Sequence, residues 1–404
     1  MSVLRNARIL LGVTGGIAAY KAADLASKLV QAGSHVDVIM TEAARKFVGD
    51  VTFEALTKRK VHVDVFEPWT EEYFGHITLG HEADALIIAP ATANTIAQLA
   101  LGLAADMLGT VALSTTAPLI LAPAMEHTMF HHPATQEHLA TLKARGAIIV
   151  GPDRGRLASG AEGDGRMATV DAIIGATRLA LGKRGPLAGR RIVVTAGGTH
   201  EPIDPVRFIG NGSSGLMGFA LAQAAIDAGA SVTLIAGPTH LTPPFGVAFV
   251  PVVTAREMYQ AVQDATANAD VLIMAAAVAD YRPRDQRLSK IKKSQHDEPL
   301  VLELERNPDI LASVVHPRLV KIGFAAETER LVEHAREKLE AKGLAMIIAN
   351  DAAATIGSRT SEATLIAADG TIEPLPTMPK DELAEIIVSR IVKLLAAQTH
   401  ASPC

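Results

Sequence analysis

Residues 8–40 read RILLGVTGGIAAYKAADLASKLVQAGSHVDVIM, and their pattern decides the fold. Arg8–Val13 is an apolar run of strand length without polar alternation, the pattern of a strand covered on both faces. Gly15-Gly16 turns the chain. Ile17–Ala32 carries apolar residues at helical spacing, and His35–Met40 is a second strand-like run. Strand, helix and strand in succession form a unit whose two strands lie parallel.

The rhythm continues along the chain. Ala85–Pro90, Leu119–Pro123 and Ala147–Gly151 read as further strands, with helices over Thr135–Arg145 and Val170–Leu181. A charged Gly/Pro stretch, Gly182–Gly189, then interrupts the pattern and reads as a linker. The expected division is 1–181, a linker at 182–189, and 190–404. The second half restarts with a strand at Arg191–Thr195, a helix over Leu216–Gly229 and a strand at Ser231–Ile235. Val271–Ala277 is a very apolar strand, and Arg282–Glu298 is polar and lysine-rich, the pattern of a mobile flap. Val320–Gly323 and Met346–Ala349 read as strands around a helix at Glu329–Lys342. Ala363–Pro374 has an Asp-Gly hairpin signal, and Pro379–Ala396 a closing helix. Alternation of this kind specifies α/β architecture with mostly parallel sheets.

Composition narrows the function. At 404 residues the chain is long enough for two domains, and its net charge of −5 gives no reason to expect nucleic acid or an anionic membrane. The single cysteine, Cys404, excludes internal disulfides, CxxC zinc sites and an internal catalytic thiol. Apolar runs such as Ala85–Ala89 and Val271–Val278 are too short to span a bilayer. The N-terminus lacks a signal-peptide layout, so a cytoplasmic enzyme is the expectation.

Two loops look built for anions. Thr14-Gly15-Gly16-Ile17-Ala18 follows the first strand and opens a helix, where backbone N–H groups can meet a phosphate. Thr41-Glu42-Ala43-Ala44, Ala89–Thr95 and Pro123-Ala124-Met125 also stand at strand ends, where open α/β sheets bind ligands. In the second half, Thr195–Gly218 reads TAGGTHEPIDPVRFIGNGSSGLMG. It contains a formal Gly-x-Gly-x-x-Gly at Gly210, Gly212 and Gly215. An insertion, His200–Ile209, separates these glycines from their strand, and the next strand ends in Ala236-Gly237-Pro238 without an acid. That context disfavours a dinucleotide and favours a phosphorylated ligand at the helix start. His76, in Gly75-His76-Ile77-Thr78-Leu79, is a candidate acid–base residue; His81, His131 and His132 read as surface.

The first half resembles flavin-dependent cysteine decarboxylases of flavodoxin-like fold. The matching pieces are TGGIAAYKA (Thr14–Ala22), GHITL (Gly75–Leu79), APATANT (Ala89–Thr95), APAM (Ala122–Met125) and Gly163-Asp164-Gly165-Arg166-Met167. The second half resembles phosphopantothenate–cysteine ligase domains, which are Rossmann-like. Its matches are TAGGTHEPIDPVRFI, SSGLMG, AAAVADY, KIKK (Lys290–Lys293), NPDI (Asn307–Ile310), GFAAET (Gly323–Thr328) and the stretch Ala335–Asp351. Their order is that of the bifunctional bacterial enzymes of coenzyme A biosynthesis.

That resemblance implies a chemistry. The ligase activates the carboxylate of 4′-phosphopantothenate with CTP, releasing pyrophosphate, and the amine of L-cysteine attacks the acyl-cytidylate. Asn211 is implied to act on the acyl intermediate, Asp280 to lie near the cytosine, and Lys290 to face the triphosphate from the flap. Lys338 and Lys342, four apart on a helix, are implied phosphate contacts. Asn307, Asp309 and Phe324 belong to matching motifs and join the substrate site. Mg²⁺ is expected on the triphosphate, with ligands the sequence does not specify. The decarboxylase half uses FMN, whose oxidation of the cysteine side chain to a thioaldehyde creates an electron sink for loss of CO₂. Gly15, Gly16, Ile17, Ala18, Thr41 and Asn94 are its expected FMN contacts, Met125 and Glu126 its substrate contacts, and His76 and Ser159 its catalytic positions.

Gly212 stands in the ligase loop where a larger residue is common, and two positions of the flavin half depart from the family pattern. Glu126 stands where an Asn that binds the substrate carboxylate is usual, and Ser159 stands where a cysteine is usual. An ionised Glu126 repels a carboxylate unless burial raises its pKa, and a serine is a far weaker acid than a thiol. The alternatives are therefore an active ligase joined to an impaired flavin domain, or to a flavin-binding scaffold. The resemblance also implies a homo-oligomer, trimeric through the flavin half and dimeric through the ligase half.

Overall fold

The structure, a computed structural model, describes residues 2–66, 75–292, 300–327, 330–351 and 357–401. Part of the expected flap, together with Lys293, Thr328 and Cys404, lies outside the described residues. The chain separates into two compact units, Ser2–Gly182 and Lys183–Cys404.

In the first unit, β1 (Arg8–Val13), β2 (His35–Met40), β3 (Ala85–Ala91), β4 (Leu119–Pro123) and β5 (Ile148–Ile149) form one sheet in the order β2-β1-β3-β4-β5. Every pairing is parallel. This is the flavodoxin-like doubly wound order, with the direction of winding reversing between β1 and β3. All of β3 is buried, as its unbroken apolar run requires. Each Leu or Ile so enclosed contributes about 1.5–3 kcal/mol. Helix α1 (Ala19–Gln31) buries Ala19, Ala22, Leu25, Ala26 and Leu29, a single stripe against the sheet. It begins later than Ile17 because Gly16–Ala18 remain a turn, with the Gly16 amide donating to Thr14 at 2.9 Å.

Helices α2 (Asp50–Thr57), α3 (His76–Glu82), α4 (Ala93–Leu101), α5 (Met107–Ser114), α6 (His127–His131), α7 (Pro133–Ala144) and α8 (Val170–Gly182) complete this unit. A hairpin of β6 (Asp153–Arg156) and β7 (Glu162–Arg166) stands apart from the main sheet.

The second unit holds a larger sheet. Its strands are β8 (Arg191–Ala196), β11 (Ser231–Ala236), β12 (Ala248–Pro251), β13 (Val271–Met274), β16 (Val320–Glu327), β17 (Met346–Asp351), β18 (Thr360–Ala367) and β19 (Ile372–Pro379). They run β12-β11-β8-β13-β16-β17-β18-β19. The first six are mutually parallel, in the Rossmann order, and the last two join antiparallel as the hairpin expected around Asp369-Gly370. Two small ribbons flank it: β9 (His200–Pro202) with β10 (Phe208–Gly210), and β14 (Tyr281–Pro283) with β15 (Leu304–Arg306).

The insertion between β8 and the glycines is thus a hairpin, closed by stacking of His200 on Phe208 at 3.7 Å between ring centroids. Helix α9 (Leu216–Asp227) then packs so tightly on β8 that a Cβ on Gly218 would lie 2.8 Å from the Thr195 carbonyl oxygen. Helices α10 (Ala255–Thr266), α11 (Ile310–Ser313), α12 (Leu331–Lys342) and the closing helix (Lys380–Ala401) complete it. No described helix is long and apolar enough to cross a membrane.

Candidate functional site

Each unit carries a cleft at the carboxyl ends of its parallel strands, where the winding direction reverses. In the first unit a cleft of about 1160 Å³ lies between the β1 and β3 ends, somewhat larger than most small-molecule sites. Its floor is knitted by Thr14, whose Oγ1 donates to the Pro90 carbonyl at 2.6 Å and accepts the Thr92 amide at 3.2 Å. Gly15 packs directly on Ala43, so any side chain there would collide with that loop. Gly15, Gly16, Ile17, Ala18, Thr41, Asn94, Met125, Glu126 and Ser159 all line this cleft. Thr41 Oγ1 accepts the Ala44 amide at 3.2 Å, and Thr92 caps α4 beside exposed Asn94. A strand-end turn of small residues opening α1 fits the phosphate end of a flavin nucleotide, and the apolar walls of Ile17 and Met125 fit its ring.

Glu126 caps α6. Its carboxylate accepts from the Thr128 amide at 2.6 Å and from Thr128 Oγ1 at 2.5 Å. Those two hydrogen bonds, the side-chain one first, hold its pKa below the ordinary carboxylate value. Burial therefore does not keep Glu126 neutral, and the cleft contains a carboxylate. Arg156 and Arg166 line the same cleft and supply opposite charge. Lys21 and Asp106 line it too. None of these four was singled out in the sequence. Arg156 and Arg166 sit on a hairpin whose glycines and charges give no apolar period, although Lys21 and Arg166 lie inside quoted motifs. Ser159 sits at the tip of that hairpin and is exposed. His76 begins α3, where its carbonyl accepts from Ser114 Oγ at 2.9 Å. It is not among the residues that line the cleft of its own unit.

In the second unit a cavity of about 580 Å³ lies at the ends of β8, β13, β16 and β17. It gathers Asn211, Asp280, Asn307, Asp309, Phe324, Lys338 and Lys342 from five separate stretches of sequence. The loops are tied to one another. Asn211 Nδ2 donates to the carbonyls of Ala277 and Val278, both at 3.2 Å. The Ala276 and Ala279 amides donate to Thr195 Oγ1 and Thr199 Oγ1 at 3.1 and 2.9 Å. Asn307 Nδ2 donates to the Ala279 carbonyl at 2.8 Å, and its Oδ1 accepts from Arg282 at 2.8 Å. Gly215 caps α9 in the left-handed conformation, with φ +81°, and turns Ser213 and Ser214 toward the cavity wall.

Charge is also arranged. Asp309 caps α11 through the Ala312 amide at 3.0 Å and pairs with Lys342 at 3.0 Å. Burial pushes the Asp309 pKa up, but those partners outweigh it, and the net shift is downward. Lys321, which the sequence reading did not single out, donates to the carbonyls of Leu311, Val314 and Lys342, the last at 2.6 Å. Burial lowers its pKa. It ties the end of α12 to α11 and thereby orients Lys338 and Lys342. Asn350, Ser361 and Lys380 complete the wall. Asn350 lies at the end of the quoted stretch Ala335–Asp351, whereas Ser361 and Lys380, in β18 and at the start of the closing helix, belong to no quoted motif.

Lys290 is exposed and is not among the cavity's lining residues. Its neighbour is anchored instead. The Ile291 amide donates to Asp204 Oδ2 at 3.2 Å, and its carbonyl accepts from Arg207 at 2.7 Å.

Comparison with known proteins agrees with this division. Residues 2–181 match the family model described as Flavoprotein. Residues 187–395 match the DNA/pantothenate metabolism flavoprotein C-terminal domain. The chain is 43% identical over 397 residues to the coenzyme A biosynthesis bifunctional protein CoaBC of Vibrio cholerae, covering 97% of this chain and 99% of the relative. It is 43% identical over 400 residues to the Bacillus subtilis protein of the same name, covering 97% and 98%. The crystal structure of the C-terminal domain of a CoaBC protein aligns at 42% identity over 52% of this chain and 97% of that one, with a TM-score of 0.45. With near-complete coverage of its relatives and both domain models in order, the chain belongs to the CoaBC family of bifunctional coenzyme A biosynthesis proteins.

Proposed function

We propose that the second unit joins L-cysteine to 4′-phosphopantothenate at the expense of CTP, and that the first unit decarboxylates the product with FMN to give 4′-phosphopantetheine. The observation that carries the ligase reading is the convergence of Asn211, Asp280, Asn307, Lys338 and Lys342 on one cavity at the switch point of the sheet. A carboxylate is a poor electrophile. Attack of its oxygen on the α-phosphorus of CTP expels pyrophosphate and leaves an acyl-cytidylate. The cysteine amine then attacks the acyl carbon, CMP departs, and the amine loses a proton. Both steps need charge neutralisation more than acid–base chemistry. In this reading Lys338 and Lys342 meet the phosphates and Asn211, held by its hydrogen bonds to the Ala277 and Val278 carbonyls, acts on the acyl group. Asp309 is committed to Lys342, so among the described lining residues Asp280 is the carboxylate left to help hold a Mg²⁺ that arrives with the triphosphate.

The first cleft fits FMN by its volume, its strand-end glycine turn and its mixed walls. Bound there, FMN supplies a two-electron acceptor for the cysteine side chain. The chain's own residues position the substrate. Arg156 and Arg166 offset Glu126 and offer the cysteine carboxylate a cationic neighbour. Ser159 approaches from the hairpin tip. His76 is supplied by a second copy in a trimeric arrangement. Ile17, Tyr20 and Ile77, which are 62%, 61% and 43% exposed, give such an arrangement an apolar surface. Association of the ligase units as dimers and a cytoplasmic location complete the reading.

One observation favours a second reading. Ionised Glu126, with no thiol among the described residues that line the cleft, leaves a flavin unit that binds its cofactor but turns over slowly or not at all. Product mass after incubation with phosphopantothenate, cysteine, CTP, Mg²⁺ and FMN separates the two. Phosphopantetheine supports the first reading, and phosphopantothenoylcysteine alone supports the second.

A further inference from the structure

We infer that His127, His131 and Asp164 form a site for one divalent transition-metal cation, Zn²⁺ by its donor set, at the edge of the flavin cleft. His127 and His131 stand one turn apart on α6, so both rings project from the same face. Asp164 reaches them from β7. One candidate donor atom from each of the three lies within 4.8 Å of the others. The donors of a tetrahedral Zn²⁺ with bonds near 2.0–2.2 Å stand about 3.3 Å apart, inside that spread.

The rings are held in place before any cation arrives. Their centroids are 4.4 Å apart with the planes tilted by 59°. His131 Nε2 meets Asp164 Oδ2 at 2.9 Å, and the Asp164 amide donates to His127 Nδ1 at 3.1 Å; a cation takes the place of the proton between His131 and Asp164, and His127 gives up the amide hydrogen bond to ligate. The His127 ring lies against Gly163, where a Cβ would fall 2.7 Å from Nδ1. Phe130 closes the other side of His131 edge-on at 5.1 Å.

Two imidazoles and one carboxylate suit Zn²⁺, Co²⁺ or Ni²⁺ and not Mg²⁺ or Ca²⁺, which prefer oxygen. His131 is exposed, so the remaining coordination position is open to water. The cation would join α6 to β7. Helix α6 is capped by Glu126 and carries Met129, and the β6–β7 hairpin carries Ser159 and Arg166, all of which line the cleft. A bound cation therefore fixes the two walls of the cleft against each other without touching the reacting atoms.

The test is titration of the full-length protein with Co²⁺ and Zn²⁺. The expected result is one equivalent of Co²⁺ giving visible d–d absorption, displaced by Zn²⁺. Affinity falls by about tenfold or more in His131→Ala and in Asp164→Asn, with His240→Ala in the other unit as an unchanged control. No saturable binding, or binding equal in all three variants, overturns the site. Should either variant unfold, the unmodified protein decides the matter. Zn²⁺ must protect His127 and His131 from carbethoxylation, read by peptide mass, and equal labelling with and without Zn²⁺ overturns it.

Discussion

Asp204 has a side chain withdrawn from solvent, yet it is ionised. Burial alone pushes its pKa up. The amides of Val206, Ile291 and Arg207, with the Arg207 guanidinium, outweigh that and hold it far below the ordinary 3.8. A carboxyl depressed in the folded state contributes stability that is complete above its unfolded pKa. That contribution is lost as pH falls below about 3.8 toward the folded value. Asp204→Asn should lower the melting temperature at neutral pH and flatten its fall at acid pH, measured by calorimetry from pH 7 to pH 3. It should also release Ile291 and reduce ligation by about tenfold, since displaced groups lose positioning. The motif EPIDPVRFI was legible as a family signature, but the job of its Asp was not. Its partner Ile291 is 87 residues away, and nothing local points to it. Glu126 is the converse case. Its identity was conspicuous in the sequence, while its charge state followed only from the Thr128 cap. Ser159→Cys should speed the final reductive step, in which the decarboxylated product takes back two electrons and a proton, by about tenfold or more, because a thiol is a far better proton donor than a hydroxyl. Single-turnover reoxidation of the reduced flavin checks it.

At the scale of elements, strands were read best where their faces are both covered. Arg8–Val13 and Leu119–Pro123 have the predicted bounds because nearly continuous apolar runs admit little else, and His35–Met40 has them because its alternation of polar and apolar residues fits an edge strand. The hairpin of β6 and β7 was missed because Asp153–Arg166 alternates glycine with charge and has no apolar face. Helix α10 was overlooked although Thr254 and Glu257 form a capping box in plain view. Thr254→Ala should cost about 1 kcal/mol of stability, measured by urea unfolding of the second unit. Gly15→Ala should abolish flavin retention while the sheet stays folded. Its new methyl collides with Ala43 in the loop that frames the cleft. A colourless, folded protein is the expected preparation, and a yellow one with unchanged affinity contradicts the placement.

Across the whole molecule, the boundary between Gly182 and Lys183 separates two cores, each with its own sheet and its own cleft at a switch point. Residues 183–404 expressed alone should therefore fold and form phosphopantothenoylcysteine, with CTP consumed and no CO₂ released. The doubly wound class was legible from alternation. The strand orders were not, because parallel neighbours are chosen by long crossovers and leave no local mark in the sequence. The flavin half, with Glu126 and Ser159 at two positions of its cleft, decides whether both reactions run. The decisive measurement is the product mass from the full-length protein supplied with phosphopantothenate, cysteine, CTP, Mg²⁺ and FMN. Accumulation of 4′-phosphopantetheine is the predicted result. Accumulation of 4′-phosphopantothenoylcysteine with its carboxyl intact would contradict the account.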